Sequence, residues 1–357
     1  MRTALLVSLR ANPAFIQHML AYAKAFRELG YSPAFLLDPA YDDVSGLRQA
    51  WPCLDSLGAA LTANPCHAVF FNPAPANIRT AKSLKQKGAG IIYLYHEPWQ
   101  MSLQYLRDEG PGATCTAILA HRFTIPMLRI ADRVLVGSRY ALRVYRSSDL
   151  RFNPRVSFLP LLYDDDASSC TETLIRGKKY FSFIGRPCRA HGFDQFLDVM
   201  KTAFLRGMEI SFLIASRFPL PEGALDDSIF APNRSRIELR CGRTMSNDEM
   251  NSCYRQSICV WNVYRRSTQS GVLPKALMFG APLVCSNIGS FPEYLAGSES
   301  GRIVSGSDPE AILEAFRTFQ DLPAAHAEQC RKLFLSTFYY RAHLKELSHL
   351  LSQDLHT

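Results

Sequence analysis

The sequence predicts an α/β protein built from two doubly wound parallel-sheet domains that face a central cleft. Three observations lead there. The chain has 357 residues, about twice the length that one hydrophobic core organises. Short apolar runs of strand length alternate with stretches whose apolar residues recur at helical spacing, the rhythm of a parallel sheet with helical crossovers. That rhythm stops at Asp164-Asp165-Asp166-Ala167-Ser168-Ser169, a polar run without periodicity, and then begins again. The expected domains are 1–166 and 167–338, with a terminal helix over 339–357 that crosses back to the first.

In order, 4–9 reads as a buried strand, 14–30 as a helix stopped by Gly30, and 31–37 as a second strand. Strands follow at 68–71, 90–95, 133–137 and 156–159, with helices at 76–87 and 118–130 between them. Past the polar break come strand 180–184, helix 193–205, strands 209–214 and 236–239, helix 247–256, strand 258–263, helix 274–279 and strand 282–285. The stretch 324–355 is helical in pattern.

Apolar residues at 47% and charged residues at 20% describe a globular chain without a large disordered part. The apolar runs fall well short of the roughly 20 residues that span a bilayer. The start, Met1 to Arg10, reads as a buried strand rather than a signal peptide, which predicts a cytoplasmic protein. Ten scattered cysteines without a CxxC pair read as reduced thiols, and no metal site is expected. Between Arg79 and Arg155 stand thirteen Lys or Arg against five acids, so this stretch carries an excess equal to the net +8 of the chain. Such a surface suits an anionic membrane face or an anionic acceptor; a solvated set of helix faces is the plain alternative.

Ligands of open parallel sheets bind beyond the carboxyl ends of the strands, where helix N-termini offer amides and a positive dipole end. Three segments lie there. In the first, Gly185-Arg186-Pro187-Cys188-Arg189-Ala190-His191-Gly192 follows a strand and precedes a helix, and its cations suit a pyrophosphate. An ordinary basic βα loop is the alternative. In the second, Ser267-Thr268-Gln269-Ser270-Gly271-Val272 leads into Pro274, and Lys275 in the first helical turn is unfavourable beside the dipole unless an anion lies near, which favours a phosphate neighbour over a solvated lysine. In the third, His96 at a strand end is placed to contact a transferred sugar or handle an acceptor proton, with Glu97 orienting its imidazole; a structural histidine is the alternative.

Together these segments resemble the family-4 retaining glycosyltransferases of GT-B fold, the glycosyl transferases group 1. Gly185-Arg186 followed by His191-Gly192-Phe193-Asp194 is similar to the family's Gly-Arg…Lys-Gly-x-Asp turn. Cys241-Gly242 with Ser246-Asn247-Asp248-Glu249-Met250 resembles the segment beside the nucleotide base. Ala276-Leu277-Met278-Phe279-Gly280-Ala281-Pro282-Leu283-Val284, then Ile288-Gly289-Ser290-Phe291-Pro292-Glu293, then Gly301-Arg302-Ile303-Val304 with Asp308-Pro309-Glu310, complete the pattern through the second domain. In the first domain Ala131-Asp132-Arg133-Val134 with Ser138 is a looser match, His96 lies where a family histidine approaches the donor sugar, and Asn12-Pro13 replaces the usual glycine pair. The family's two donor-binding glutamates fall on Ser267 and Lys275, and its phosphate lysine on His191.

The resemblance implies two Rossmann-like domains and a nucleotide-diphosphate sugar as co-substrate, with no other cofactor and no metal. It implies transfer with retention to a polysaccharide or lipid-linked acceptor, the β-phosphate of the leaving nucleotide taking the acceptor proton. Arg186, His191 and the amides of 270–272 then stabilise the diphosphate, and Thr268, Gln269 and Ser270 are the nearest groups for sugar and ribose hydroxyls. The expected partners are the nucleotide sugar, a glycan or lipid-linked acceptor and an anionic membrane surface at the inner face, without nucleic acid. Two other readings use the same fold: a catalytically silent sugar-nucleotide or glycan-binding protein, suggested by the missing glutamates, and a sugar-nucleotide epimerase, which needs paired carboxylates around the sugar.

Overall fold

The computed structural model describes residues 2–41, 47–98, 103–148, 152–167, 177–320 and 323–352. The chain divides into two compact units, Met1–Asp164 with Thr337–Thr357, and Asp165–Ser336. The divisions fall at 164/165 and 336/337 rather than at the expected 166/167 and 338/339.

The first unit is a six-stranded parallel sheet in the order β2-β1-β3-β4-β5-β6, formed by Arg2–Ser8, Tyr31–Leu37, His67–Phe70, Gly90–Leu94, Arg133–Val136 and Val156–Phe158 as β1 to β6. Both faces of β1 are buried, and its side chains alternate between them: Ala4 and Leu6 join a cluster with Phe26 and Phe35, Leu5 and Val7 one with Phe70 and Met127. The C-terminal helix Leu344–Ser352 lays Leu347, Leu350 and Leu351 on the first of these clusters.

The second unit repeats the plan in the order β12-β11-β10-β7-β8-β9, with β7 Tyr180–Ile184, β8 Ser211–Ser216, β9 Ile237–Cys241, β10 Ser257–Asn262, β11 Leu283–Ser286 and β12 Gly301–Val304, all parallel. The strand order reverses direction between β7 and β10, so the crevice beyond their carboxyl ends is the ligand position of this topology. Aromatic packing sets its interior: Phe181 stacks on Phe316 at 4.8 Å and meets Phe196 edge-on at 5.6 Å.

Some elements differ from the pattern reading. The expected helix 118–130 begins at Leu103, and non-helical Gly110 (φ 79°, ψ 170°) divides it, so Pro111 opens the second piece. The stretch 324–355 is two helices, Pro323–Thr337 and Leu344–Ser352, separated by a tight turn at Tyr340–His343. Arg139–Ser147 is a helix capped by Ser138, whose hydroxyl accepts from the Ala141 amide at 2.9 Å, and Pro309–Gln320 is another. Asp149, Arg151, Ser168, Ser169 and Cys170 lie outside the described residues. Among the described residues no helix is long and apolar enough to cross a membrane, and the nine described cysteines are free thiols.

Candidate functional site

The 185–192 turn leaves β7 at the switch point and ends in Gly192, from which the helix Phe193–Leu205 starts without a side-chain cap. Gly192 has φ 67°, and a Cβ there would lie 2.2 Å from the Val263 carbonyl oxygen, so backbone and helix start meet too closely for any side chain. Arg186 and Arg189 are exposed, and the Arg186 guanidinium lies over the Phe218 ring at 5.6 Å. Two cations in a turn that leads into a helix N-terminus are the groups an anion-binding surface requires.

The segment after β10 holds this turn in shape. The Trp261 indole donates to the His191 carbonyl at 3.0 Å, and Tyr264 stacks on the His191 ring at 4.5 Å and 15°. Arg265 donates two hydrogen bonds to Asp194, at 2.6 and 2.8 Å, and another to the Arg189 carbonyl at 2.8 Å. Burial acts to raise the Asp194 pKa, but the Arg265 hydrogen bonds and charge outweigh it and hold the carboxyl below its ordinary value. Tyr264 also reaches the second segment: its hydroxyl is hydrogen-bonded to Ser270, and burial raises its pKa so that it stays neutral.

Along that second segment the Ser270 hydroxyl accepts from the Val272 amide at 3.2 Å and the Ser267 hydroxyl donates to the Gln269 carbonyl at 2.6 Å. Gly289, at φ 59°, lets a neighbouring turn approach: a Cβ there would sit 2.1 Å from the Ser267 carbonyl oxygen. Gly271 caps the helix Val272–Met278 without a side-chain hydrogen bond. Thr268 and Gln269 flank Ser270 in the sequence, and Gln269 Oε1 is buried without a hydrogen-bond partner. The phosphate expected beside Lys275 is replaced by a carboxylate of the chain itself. Lys275 is 7% exposed, and its Nζ lies 2.5 Å from Asp166 Oδ2 and 3.1 Å from Asn251 Oδ1. The electrostatic argument for an anion was sound, but its partner lies 109 residues away in sequence. Every carboxylate of the acidic run at 164–166 is paired: Asp164 with Lys24, Asp165 by two hydrogen bonds from Arg331, and Asp166 with Lys275.

At the end of β9, Cys241 donates to the Ile214 carbonyl and burial raises its thiol pKa, so it is a packed, unreactive group. The Gly242 amide donates to the Ser216 and Phe218 carbonyls at 3.2 and 3.1 Å, placing this corner next to the residue under Arg186.

In the first unit His96 packs its ring on Phe15 at 4.5 Å and lies 5.5 Å from His18. Its Nε2 is buried without a hydrogen bond; burial, reinforced by His18, pushes its pKa down to about 3, so the imidazole is neutral at physiological pH. No hydrogen bond joins it to Glu97, which is exposed, so the expected orienting role of Glu97 is corrected: Phe15 and His18 set the ring. A small pocket beside His96 is lined by His18, Tyr22, Tyr95, Leu159 and Leu162 among others. His18, whose Nδ1 lies 3.0 Å from the Leu162 carbonyl, escaped the sequence reading because a histidine inside an amphipathic helix carries no local signal.

Of the thirteen basic residues between 79 and 155, eleven are exposed, Arg133 is buried, and Arg151 lies outside the described residues. Among them stand large apolar side chains, Leu106, Ile118, Leu119 and Phe123, which are between 40% and 56% exposed. Arg129 lies over Phe152 at 4.8 Å.

Residues 178–321 match the family model described as glycosyl transferases group 1. No curated protein sequence matches the chain. Solved structures share its architecture from end to end. A glycosyltransferase from Rickettsia africae superposes with a TM-score of 0.72 at 12% identity, covering 100% of this chain and 99% of that one. HepE of Anabaena in complex with UDP gives 0.70 at 12% identity, covering 99% and 100%. WaaG, a glycosyltransferase involved in lipopolysaccharide biosynthesis, gives 0.64 at 13% identity, covering 99% and 100%. At these identities the likeness establishes the fold, which is GT-B, while the family match lies within the second unit.

Proposed function

We infer, from a second unit that matches the glycosyl transferases group 1 and a chain with the GT-B fold throughout, that this protein is a glycosyltransferase using a nucleotide-diphosphate sugar. The observation that carries the reading is the 185–192 turn, where Arg186, Arg189 and His191 precede the uncapped start of a 13-residue helix at the switch point of the sheet. HepE is a protein of this fold whose structures hold UDP and UDP-glucose, which supports a nucleotide sugar as the ligand.

In the proposed reaction the bond from the sugar's anomeric carbon to the diphosphate oxygen breaks. A new bond to the acceptor oxygen forms with retention of configuration, and the acceptor proton passes to a departing phosphate oxygen. Arg186, His191 and the amides of 270 and 271 stabilise the charge that develops on the diphosphate, and the Val272 amide, which donates to the Ser270 hydroxyl, joins them only if that bond opens. Thr268, Gln269 and Ser270 take sugar and ribose hydroxyls; Gln269 Oε1, a buried acceptor lacking a donor, supports that assignment. Cys241 and Gly242 border the base. His96, neutral and set beside a pocket, serves as a hydrogen-bonding group to the sugar rather than as a charged acid. The acceptor is a polysaccharide or a lipid-linked glycan, and the exposed leucines and phenylalanines among arginines between 103 and 152 favour one presented on an anionic membrane surface.

One observation favours a second reading, a silent sugar-nucleotide-binding protein: position 267 is a serine and position 275 a lysine already paired with Asp166. Release of nucleotide diphosphate separates the two. With UDP-, GDP- and ADP-glucose offered in turn, release is expected to need an acceptor. It should be faster with a lipid-linked acceptor in vesicles rich in anionic lipid, and the vesicle effect should fade with salt over about 0.1–1 M. Binding without release under every acceptor condition would establish the silent reading, and indifference to lipid charge and salt would remove the membrane surface.

A further inference from the structure

We propose that the base of the donor nucleotide stacks on Phe218, on a flat surface that the ring forms with the guanidinia of Arg186 and Arg217. This rests on the donor-site reading of the 185–192 turn.

Phe218 stands at the ligand end of the second sheet, two residues past β8 and between two neighbouring strand ends. On one side the Gly185 amide, which opens the 185–192 turn, donates to the Ala215 carbonyl at 3.0 Å. On the other, Cys241 at the end of β9 is in register with Ser216, and the Gly242 amide donates to the Phe218 carbonyl at 3.1 Å. The Phe218 amide donates to the Ser216 hydroxyl at 3.0 Å, and Ser216 is itself buried. The backbone is thus held at both its amide and its carbonyl, while the residue remains 37% exposed. A ring carried on so fixed a backbone loses little freedom when a ligand covers it.

The groups on the ring select the chemistry of what it takes. The Arg217 guanidinium lies over it at 4.8 Å from the centroid, and that of Arg186 at 5.6 Å. Both arginines are exposed, and neither side chain has a carboxylate partner or a hydrogen bond among the described residues. Phenyl and guanidinium groups are both planar, and a nucleobase stacks on either, so a base laid here meets a flat face whichever of the three it covers. An aliphatic ligand would gain no more from this ring than from a leucine; the guanidinia favour a π system. Arg186 belongs to both parts of the site, since it stands in the 185–192 turn and over Phe218. One residue can therefore meet the diphosphate while the ring beside it meets the base. Stacking uses the face that every base presents, so the inference holds for whichever nucleotide the wild type binds.

The experiment is calorimetric titration of UDP, GDP and ADP into the wild type, Phe218→Ala and Phe218→Tyr, with inorganic pyrophosphate as a competitor that lacks the base. The ring is exposed, so both variants should unfold at the wild-type temperature without ligand. Phe218→Ala should weaken every nucleotide that the wild type binds by about tenfold or more, the loss of one stacked base. The pyrophosphate Kd, read from displacement, should stay the same, and Phe218→Tyr, which keeps a flat ring, should bind nucleotides as the wild type does. Equal weakening of nucleotide and pyrophosphate in Phe218→Ala would show that the ring only steadies Arg186, and would overturn the proposal while leaving the donor site standing. Unchanged nucleotide binding in Phe218→Ala, or equal losses in the two variants, would overturn it in the same way. A wild type that binds none of the three nucleotides, or from which pyrophosphate displaces none, would overturn the donor-site reading and the proposal with it.

Discussion

Gly192→Ala is expected to cost the second unit about 3 kcal/mol or more and to abolish nucleotide binding, because two penalties coincide at one atom. The residue sits at φ 67° and ψ 32°, where a Cβ is disfavoured by roughly 1–2 kcal/mol. The added carbon would also stand 2.2 Å from the Val263 carbonyl oxygen and 3.4 Å from the Trp261 ring, and a backbone oxygen anchored beside β10 cannot swing away as a side chain can. Relief requires moving the start of the helix Phe193–Leu205, and with it the positions of His191 and Asp194. Gly207→Ala provides the control: it has φ 64° with nothing within 4 Å of the added carbon, so it should lose only the conformational part. Denaturant unfolding of the two variants separates the clash from the backbone preference. Equal destabilisation would show that the turn yields without cost and is not a rigid frame.

Lys275→Met should lower stability by about 3–5 kcal/mol, which for a unit of this size is a drop of roughly 6–20 °C in Tm. The side chains of Lys275 and Asp166 are only 9% and 18% exposed, so removing the ammonium leaves a carboxylate enclosed with Asn247 and Asn251, which cannot neutralise it. Asp166→Leu in the same chain should recover most of the loss, since the cost lies in the orphaned charge rather than in a missing attraction. Burial acts to raise the Asp166 pKa, but the charge and hydrogen bond of Lys275 dominate and hold it below its ordinary value. The sign follows: the stabilisation is present above the unfolded carboxyl pKa of about 3.9 and is lost as pH falls through the lower folded value. Lys275→Met should remove that contribution. A variant as stable as the wild type would mean that water reaches the pair in solution.

Much of the fold was legible because its signals are local. The strand at 180–184 and the helix at 193–205 occur where the pattern places them, since both carry a long apolar stripe and end at clear punctuation. The helix Arg139–Ser147 was missed although Ser138 caps it, because arginines dilute its apolar face in a short window. The helix expected over 118–130 starts at Leu103, and it breaks at Gly110 before resuming at Pro111. The site divides along the same line. The glycine-bounded turn with Arg186 and His191 announces itself in sequence. Tyr264 and Arg265, which shape that turn from about 70 residues away, look like any strand-end residues until β7 and β10 pair. The Asp166–Lys275 pair lay beyond reach for the same reason: Lys275 suggested an anion, and only the fold says which.

On the proposed function, the second unit holds a nucleotide-diphosphate sugar at the 185–192 turn. Thermal unfolding of the wild type and Arg186→Ala, each with saturating UDP-, GDP- or ADP-sugar, tests it directly, because the Arg186 guanidinium is exposed and lies against Phe218 without a carboxylate partner among the described residues. At least one donor should stabilise the wild type by about 2–4 kcal/mol, and that gain should disappear in the variant while its ligand-free stability stays unchanged. An equal shift in both proteins would move the diphosphate away from this turn, and no shift of the wild type by any of the three would contradict the donor site itself.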